Sequence, residues 1–168
     1  MNSGMMRVMK GKGFLRNFVF GAEDGLVSTV GLLSGVSFAG LSSREVILSG
    51  VILILVEAIS MAAGVYISED SEKELDPNDK DNLISDSAVM FFSYALIGLI
   101  PLLPYILLDS TKTAFYWSVI ASLVALFCVG LFKGFFVHNH PIKGALKITA
   151  IGAVVITVSV FVGLLIKI

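Results

Sequence analysis

The sequence predicts an all-α integral membrane protein of five transmembrane helices, and three observations predict it. Of the 168 residues, 56% are hydrophobic and only 15% are charged, too apolar a mixture for an ordinary soluble domain. The charges are confined to gaps between long apolar runs, and a bilayer core needs roughly 20 apolar residues per helix. The pattern also recurs five times: Gly25–Ser43, Val46–Val56 with Ala58–Ser68, Ser87–Leu108, Thr113–Phe132 and Ile148–Ile166. Soluble cores do not repeat such runs in succession.

Residues 1–16 form a basic leader containing Met and Gly, either mobile or lying at the lipid headgroups. Helix 1 is expected from about Asn17 to Leu41 and helix 2 from about Arg44 to Ser68. The strongly polar stretch "EDSEKELDPNDKDN" (69–82) follows as a short acidic loop, with a turn at Asp76-Pro77-Asn78. Helix 3 is expected from about Asp86 to Leu108. Pro101 and Pro104 near its far end remove backbone donors and should kink or end it. Helices 4 and 5 are joined by "KGFFVHNHPIKG". The connections are short, so residues 17–168 read as one domain.

Lys and Arg set the orientation. With the N-terminus in the cytoplasm, nine basic residues face inward (Arg7, Lys10, Lys12, Arg16, Lys73, Lys80, Lys133, Lys143, Lys147). Only three, Arg44, Lys112 and Lys167, face outward. The positive-inside rule therefore puts the N-terminus in and the C-terminus out. A net charge of −1 gives no pointer to nucleic acid. The single cysteine, Cys128, excludes internal disulfides and reads as a small packing residue. No short apolar segment with a small-residue cleavage site opens the chain, so no cleaved signal peptide is expected. Neither a nucleophile–base pair nor a cofactor motif appears, which speaks against an enzyme and calls for no cofactor.

Three acids lie within or at the edge of the spans: Glu23, Asp24 and Glu57. A charge at the bilayer centre costs roughly 3 kcal/mol or more, so such residues face a bundle interior or a wet cavity. At about 100° per residue, Asp24, Ser28, Gly31 and Gly35 share one stripe of helix 1. Gly50, Glu57, Met61, Gly64 and Ser68 share one stripe of helix 2. The small residues permit close approach, so the stripes can face each other or a symmetry mate. Gly21-x-x-x-Gly25 and Gly31-x-x-x-Gly35 read as close-packing motifs that favour a dimer contact.

For Asp24 and Glu57 the alternatives are ion binding and a structural hydrogen bond to Ser or Tyr on a neighbouring helix. Met61, one turn from Glu57, is either core packing or a soft ligand that turns a carboxylate site toward transition metals. Glu23 either guards an entrance or snorkels to the headgroups. His138 and His140 have a spacing that suits neither one helix face nor a standard zinc site, and read as loop surface. Met1, Met5, Met6 and Met9 are weak candidates for soft ligands at the mouth.

The motifs "FGAEDGLVSTVGLLSGV" in helix 1, "SMAAGVYIS" in helix 2 and "ALIGLIPLLPY" in helix 3 resemble the vacuolar iron transporter family. The resemblance covers nearly the whole chain, including the Gly-containing last helix, "GALKITAIGA". It implies a homodimer of five-helix subunits, with a metal path at an interface formed mainly by helices 1 and 2. It also implies that Fe²⁺ or Mn²⁺ leaves the cytoplasm in exchange for protons. By motif, Asp24 matches the family's helix 1 aspartate and Met61 its helix 2 methionine.

The sequence departs from the family at three points. Val65 stands where members often carry a glutamate, Glu23 stands where a neutral residue is commoner, and 69–82 is too short for the Glu-rich cytoplasmic metal-binding domain of characterised relatives. The loop's seven acids (Glu69, Asp70, Glu72, Glu74, Asp76, Asp79, Asp81) read as a solvated connection or as a weak cation concentrator.

The expected function is thus a divalent-metal transporter with Asp24, Glu57 and Met61 as ion ligands and Glu23 at the entrance. Its partners are divalent metal ions, protons, the lipid bilayer and a second copy of the chain. The alternative is a non-transporting membrane subunit or metal sensor on the same scaffold. The compact chain suggests a prokaryotic plasma membrane.

Overall fold

A computed structural model describes residues 3–75, 82–137 and 140–167, without the side chains of 3–12 and 137. Asp76, Asp79, Asp81, the turn at Pro77, His138 and Met1 lie outside the described residues, as do the side chains of Met5, Met6 and Met9. Five helices follow one another: α1 (Ser3–Ala39), α2 (Ser43–Leu75), α3 (Leu83–Leu107), α4 (Thr111–Val137) and α5 (Pro141–Leu165). All five are long and apolar enough to cross a bilayer, and the chain is an integral membrane protein.

Helix limits follow from local chemistry. α1 stops where Gly40 takes a positive φ of 100°, a left-handed conformation that glycine adopts without steric cost. At the start of α2, Glu45 reaches back to Ser42 as in one half of a capping box, its Oε2 accepting from the Ser42 N–H and Oγ–H at 2.8 and 2.7 Å. Asn82 caps α3 by accepting from the Ser85 N–H at 3.3 Å. Pro101 and Pro104 do not end α3, which continues through both to Leu107. Ser118 Oγ of α4 donates to the Pro101 carbonyl at 2.7 Å, bracing α3 where the two prolines supply no N–H.

Two expected limits move. α1 begins at Ser3 rather than Asn17, so the basic leader is helical and continuous with the first span. α2 runs on to Leu75, because "EDSEKEL" is made largely of helix formers and places Lys73 in the last turn. Residues 69–75 are therefore helix, not loop.

α1 is the hub of the bundle. It packs most extensively on α3, then on α5 and α4, and least on α2. One apolar cluster joins Val19, Ala22 and Leu26 of α1 to Leu126, Val129 and Ile148 of α4 and α5. A second joins Leu33 to Val46, Ile54, Leu102, Tyr105 and Ala114. The outward surface is apolar too, with Leu48, Ile52, Leu55, Leu96, Val124 and Phe161 exposed. Cys128 is also exposed, on the surface of α4 rather than packed within the bundle.

Lipid tails supply no hydrophobic drive to bring helices together, so close contacts rest on small residues. A Cβ at Gly21 would collide with Ser93 Oγ, and one at Gly25 would lie 2.7 Å from the Tyr94 carbonyl oxygen. A Cβ at Gly31 would lie 2.9 Å from Val155 and one at Gly35 3.2 Å from the Ser159 carbonyl. The two glycine pairs of α1 thus pack on α3 and α5 of the same chain.

Candidate functional site

Asp24 sits half-buried on α1, and Ser28, one turn on, donates to its Oδ1 at 3.1 Å. This bond lies within α1 and differs from the bond to a neighbouring helix that the sequence left open. Next to Asp24, Gly25 lets α1 lie directly against the α3 backbone at Tyr94. Tyr94 is fully buried, and both Asp24 and Glu57 lie within electrostatic reach of its phenol. Ser28 adjoins the Tyr94 hydroxyl without standard hydrogen-bond geometry, and among the described residues that hydroxyl has no hydrogen-bond partner.

The three helices converge one turn further along. A Cβ at Gly98 of α3 would lie 3.3 Å from both the Gly25 carbonyl and Thr29 Oγ1 of α1, and 3.5 Å from Ile54 of α2. Thr29 Oγ1 is a second buried oxygen without a partner among the described residues. Tyr94 of α3 is thus a group that the acids of α1 and α2 both influence. Tyr94 was not singled out from the sequence. Its legible signal was a phenol inside an apolar run, one turn before a glycine.

On α2 the buried stripe is Val46, Gly50, Ile54 and Ala58. Glu57 and Met61 flank it and are half-buried. Beyond Ala58 no α2 residue is buried until Glu69, and a Cβ on Gly64 would meet nothing within 4 Å. The stretch carrying Met61 is thus only partly covered by its own chain. Among the described residues no three His, Cys, Asp or Glu side chains converge on one point.

Glu23 points elsewhere. It lines a cavity of about 500 Å³ with Lys133, Lys143, Lys147 and His140 of the α4–α5 region. The adjacent pair Glu23–Asp24 is split between two sides of α1.

The acidic stretch is divided as well. Glu69 is buried and its Oε1 accepts from Arg16 Nη2 at 3.3 Å, tying α2 to α1. Asp70, Glu72 and Glu74 are exposed on the last turns of α2. The expectation of a uniformly solvated acidic loop does not hold for Glu69, because its helical register turns it toward α1.

The VIT family model matches residues 15–82 and 72–164. The chain belongs to the VIT family. The two matched pieces overlap at 72–82, the last turn of α2 and the connection that follows it. Among individual relatives, vacuolar iron transporter 1 of Eucalyptus grandis is 25% identical over 83% of this chain and 81% of its own length. The vacuolar iron transporter of Centaurea cyanus is 27% identical over 83% of this chain and 82% of its own. That of Plasmodium falciparum (isolate 3D7) is 22% identical over 91% and 82%. The Eucalyptus alignment runs over 202 positions, more than the 168 residues of this VIT-family chain, so the relative carries segments without counterpart here.

Proposed function

We propose that this VIT-family chain transports a divalent transition metal, Fe²⁺ or Mn²⁺, out of the cytoplasm in exchange for protons. The reading is supported by two intramembrane carboxylates, Asp24 and Glu57, partly buried on α1 and α2 and both within electrostatic reach of one buried phenol, Tyr94. Membrane acids that face a bundle interior are costly without a charged cargo or a proton to neutralise them. The names of the relatives, vacuolar iron transporters, point to the same class of cargo.

Exchange has a simple physical origin. A carboxylate in a low-dielectric site favours its protonated form, and a bound dication favours the ionised form. Asp24 and Glu57 then carry metal or protons in alternation. Met61 adds a thioether, a donor that suits Fe²⁺ better than Mg²⁺. Glu23 stands apart from this set, since it faces the α4–α5 cavity, and serves at most as an entrance group.

A homodimer completes the site in this reading. The partly covered stretch of α2 around Met61 and Gly64 supports a second copy there. The Lys and Arg distribution supports an inward N-terminus. The relatives are named vacuolar; localising a tagged chain decides between such a membrane and the plasma membrane. The short α2–α3 connection supports a member without the cytoplasmic metal-binding domain. Val65 and that connection also keep the rival alive, a non-transporting subunit or sensor.

Metal uptake into proteoliposomes under a pH gradient separates transport from the rival. Wild-type protein is expected to accumulate Fe²⁺ or Mn²⁺, and Asp24→Asn and Glu57→Gln to abolish uptake while the protein stays folded. Unchanged flux in both variants removes the proposed site, and no flux in the wild type favours the rival.

A further inference from the structure

The cavity that takes Glu23 has its own chemistry. It lies where α4 ends and α5 begins, at the same end of the bundle as the Arg16–Glu69 pair. Gly130 and Gly134 of α4 allow the α5 backbone at Ala145 and Pro141 to come into contact, so the two helices close tightly beside it. Lys133 enters from α4, and Lys143 and Lys147, one turn apart, enter from α5. All three lysines are exposed, and among the described residues no carboxylate lies within ion-pair distance of any of them. Among the described residues Glu23 is the one acid in the lining, against three lysines, so these side chains leave an excess of positive charge there. The N-terminal end of the 25-residue helix α5 adds to it.

A positive-inside role explains lysines near this end of the bundle but does not require three of them to line one cavity. The floor is also informative. Ile148 and Ile151 line the cavity, and the exposed apolar face of α5 continues from there through Val154 and Val158. A polar, cationic mouth at the end of membrane helices thus adjoins an exposed apolar helix face. We propose that this cavity binds an anionic phosphate group, carried by a lipid headgroup or by free phosphate. Basic pockets between transmembrane helices recognise such groups through short-range charge and lysine hydrogen bonds. The proposal is independent of metal transport.

The test is native mass spectrometry of the full-length protein in detergent, with phosphatidylglycerol or phosphatidylcholine added and with or without millimolar inorganic phosphate. Wild-type protein is expected to retain phosphatidylglycerol in preference to phosphatidylcholine. The variant K133Q/K143Q/K147Q should lose that preference by on the order of tenfold or more. Glu23→Gln should strengthen it, because the opposing charge is gone. The control K112Q/K167Q, which neutralises lysines at the other end, should leave it unchanged. Retention that resists inorganic phosphate assigns the site to a lipid headgroup; displacement by it assigns the site to free phosphate. Equal preference in wild type and triple variant, or an equal loss in the control, overturns the proposal. Should the triple variant fail to fold, the single lysine variants carry the test, and no loss in any of them overturns it equally.

Discussion

At the scale of single residues, Tyr94 and Met61 separate chemistry from packing. A buried hydroxyl without a hydrogen-bond partner costs roughly 1–3 kcal/mol, so Tyr94→Phe should leave the metal-free protein as stable or more stable. If the hydroxyl serves the bound ion or its protons, the same variant should bind metal more weakly, by roughly 1 kcal/mol or about fivefold. Thermal unfolding with and without metal reads both effects. A metal-independent loss of stability instead makes Tyr94 a structural group. Met61→Leu keeps volume and should cost under about 1.5 kcal/mol in folding. It should weaken Fe²⁺ binding more than Mn²⁺ and Mg²⁺ least, since sulfur is the softer donor. Equal changes for all three metals, measured by competition binding, demote Met61 to packing.

At the scale of helices, two glycines of similar sequence context should behave oppositely. Gly25 faces the Tyr94 backbone, which has no side-chain torsion with which to yield. Gly25→Ala should therefore destabilise the bundle by about 1–3 kcal/mol and disturb the α1–α3 contact that positions Asp24. Gly64 faces open space within its own chain. There, Gly64→Ala should be neutral or stabilising by up to about 1 kcal/mol through helix propensity. If Gly64→Ala instead dissociates a dimer in light scattering, a second copy covers that face of α2. A stable, fully active Gly25→Ala protein contradicts the close α1–α3 crossing.

At the scale of the whole molecule, the acidic stretch after the second span has two functions that sequence proximity hides. Asp70, Glu72 and Glu74 are exposed and act on cations through a field with a range of about 8 Å at physiological ionic strength. Neutralising them should slow metal entry at low salt and change little at high salt. If Asp24 and Glu57 bind the metal as proposed, the pH dependence of transport should survive, since a metal bound by carboxylates competes with protons. Glu69→Gln should behave differently, because Glu69 is buried against Arg16. Arg16 is itself largely exposed, so the loss should be about 1 kcal/mol of stability and not a change in salt dependence. Initial flux at two ionic strengths, beside unfolding curves, distinguishes the two classes of acid. A salt effect from Glu69→Gln alone removes the distinction.

The five spans, the membrane class and the intramembrane acids were legible in the sequence because insertion into lipid is a local, nearly additive property of about 20 residues. The motifs around Asp24, Met61 and Pro101 carried the family for the same reason: they are contiguous. What only the tertiary structure decided is the rotation of each helix. A helix that is apolar all round gives periodicity no inside and outside to report, and lipid rewards no particular face. Rotation is left to the fit of small residues against neighbours distant in sequence. That fit turns Gly21 and Gly25 to α3, and it turns to α5 Gly31 and Gly35, whose stripe could equally have faced α2 or a second copy as far as the sequence goes. It brings Tyr94 within electrostatic reach of the acids of α1 and α2, and sends Glu23 toward three lysines. It also extends α2 far enough to bury Glu69 on Arg16, because helix continuation depends on the neighbour that covers it as well as on propensity.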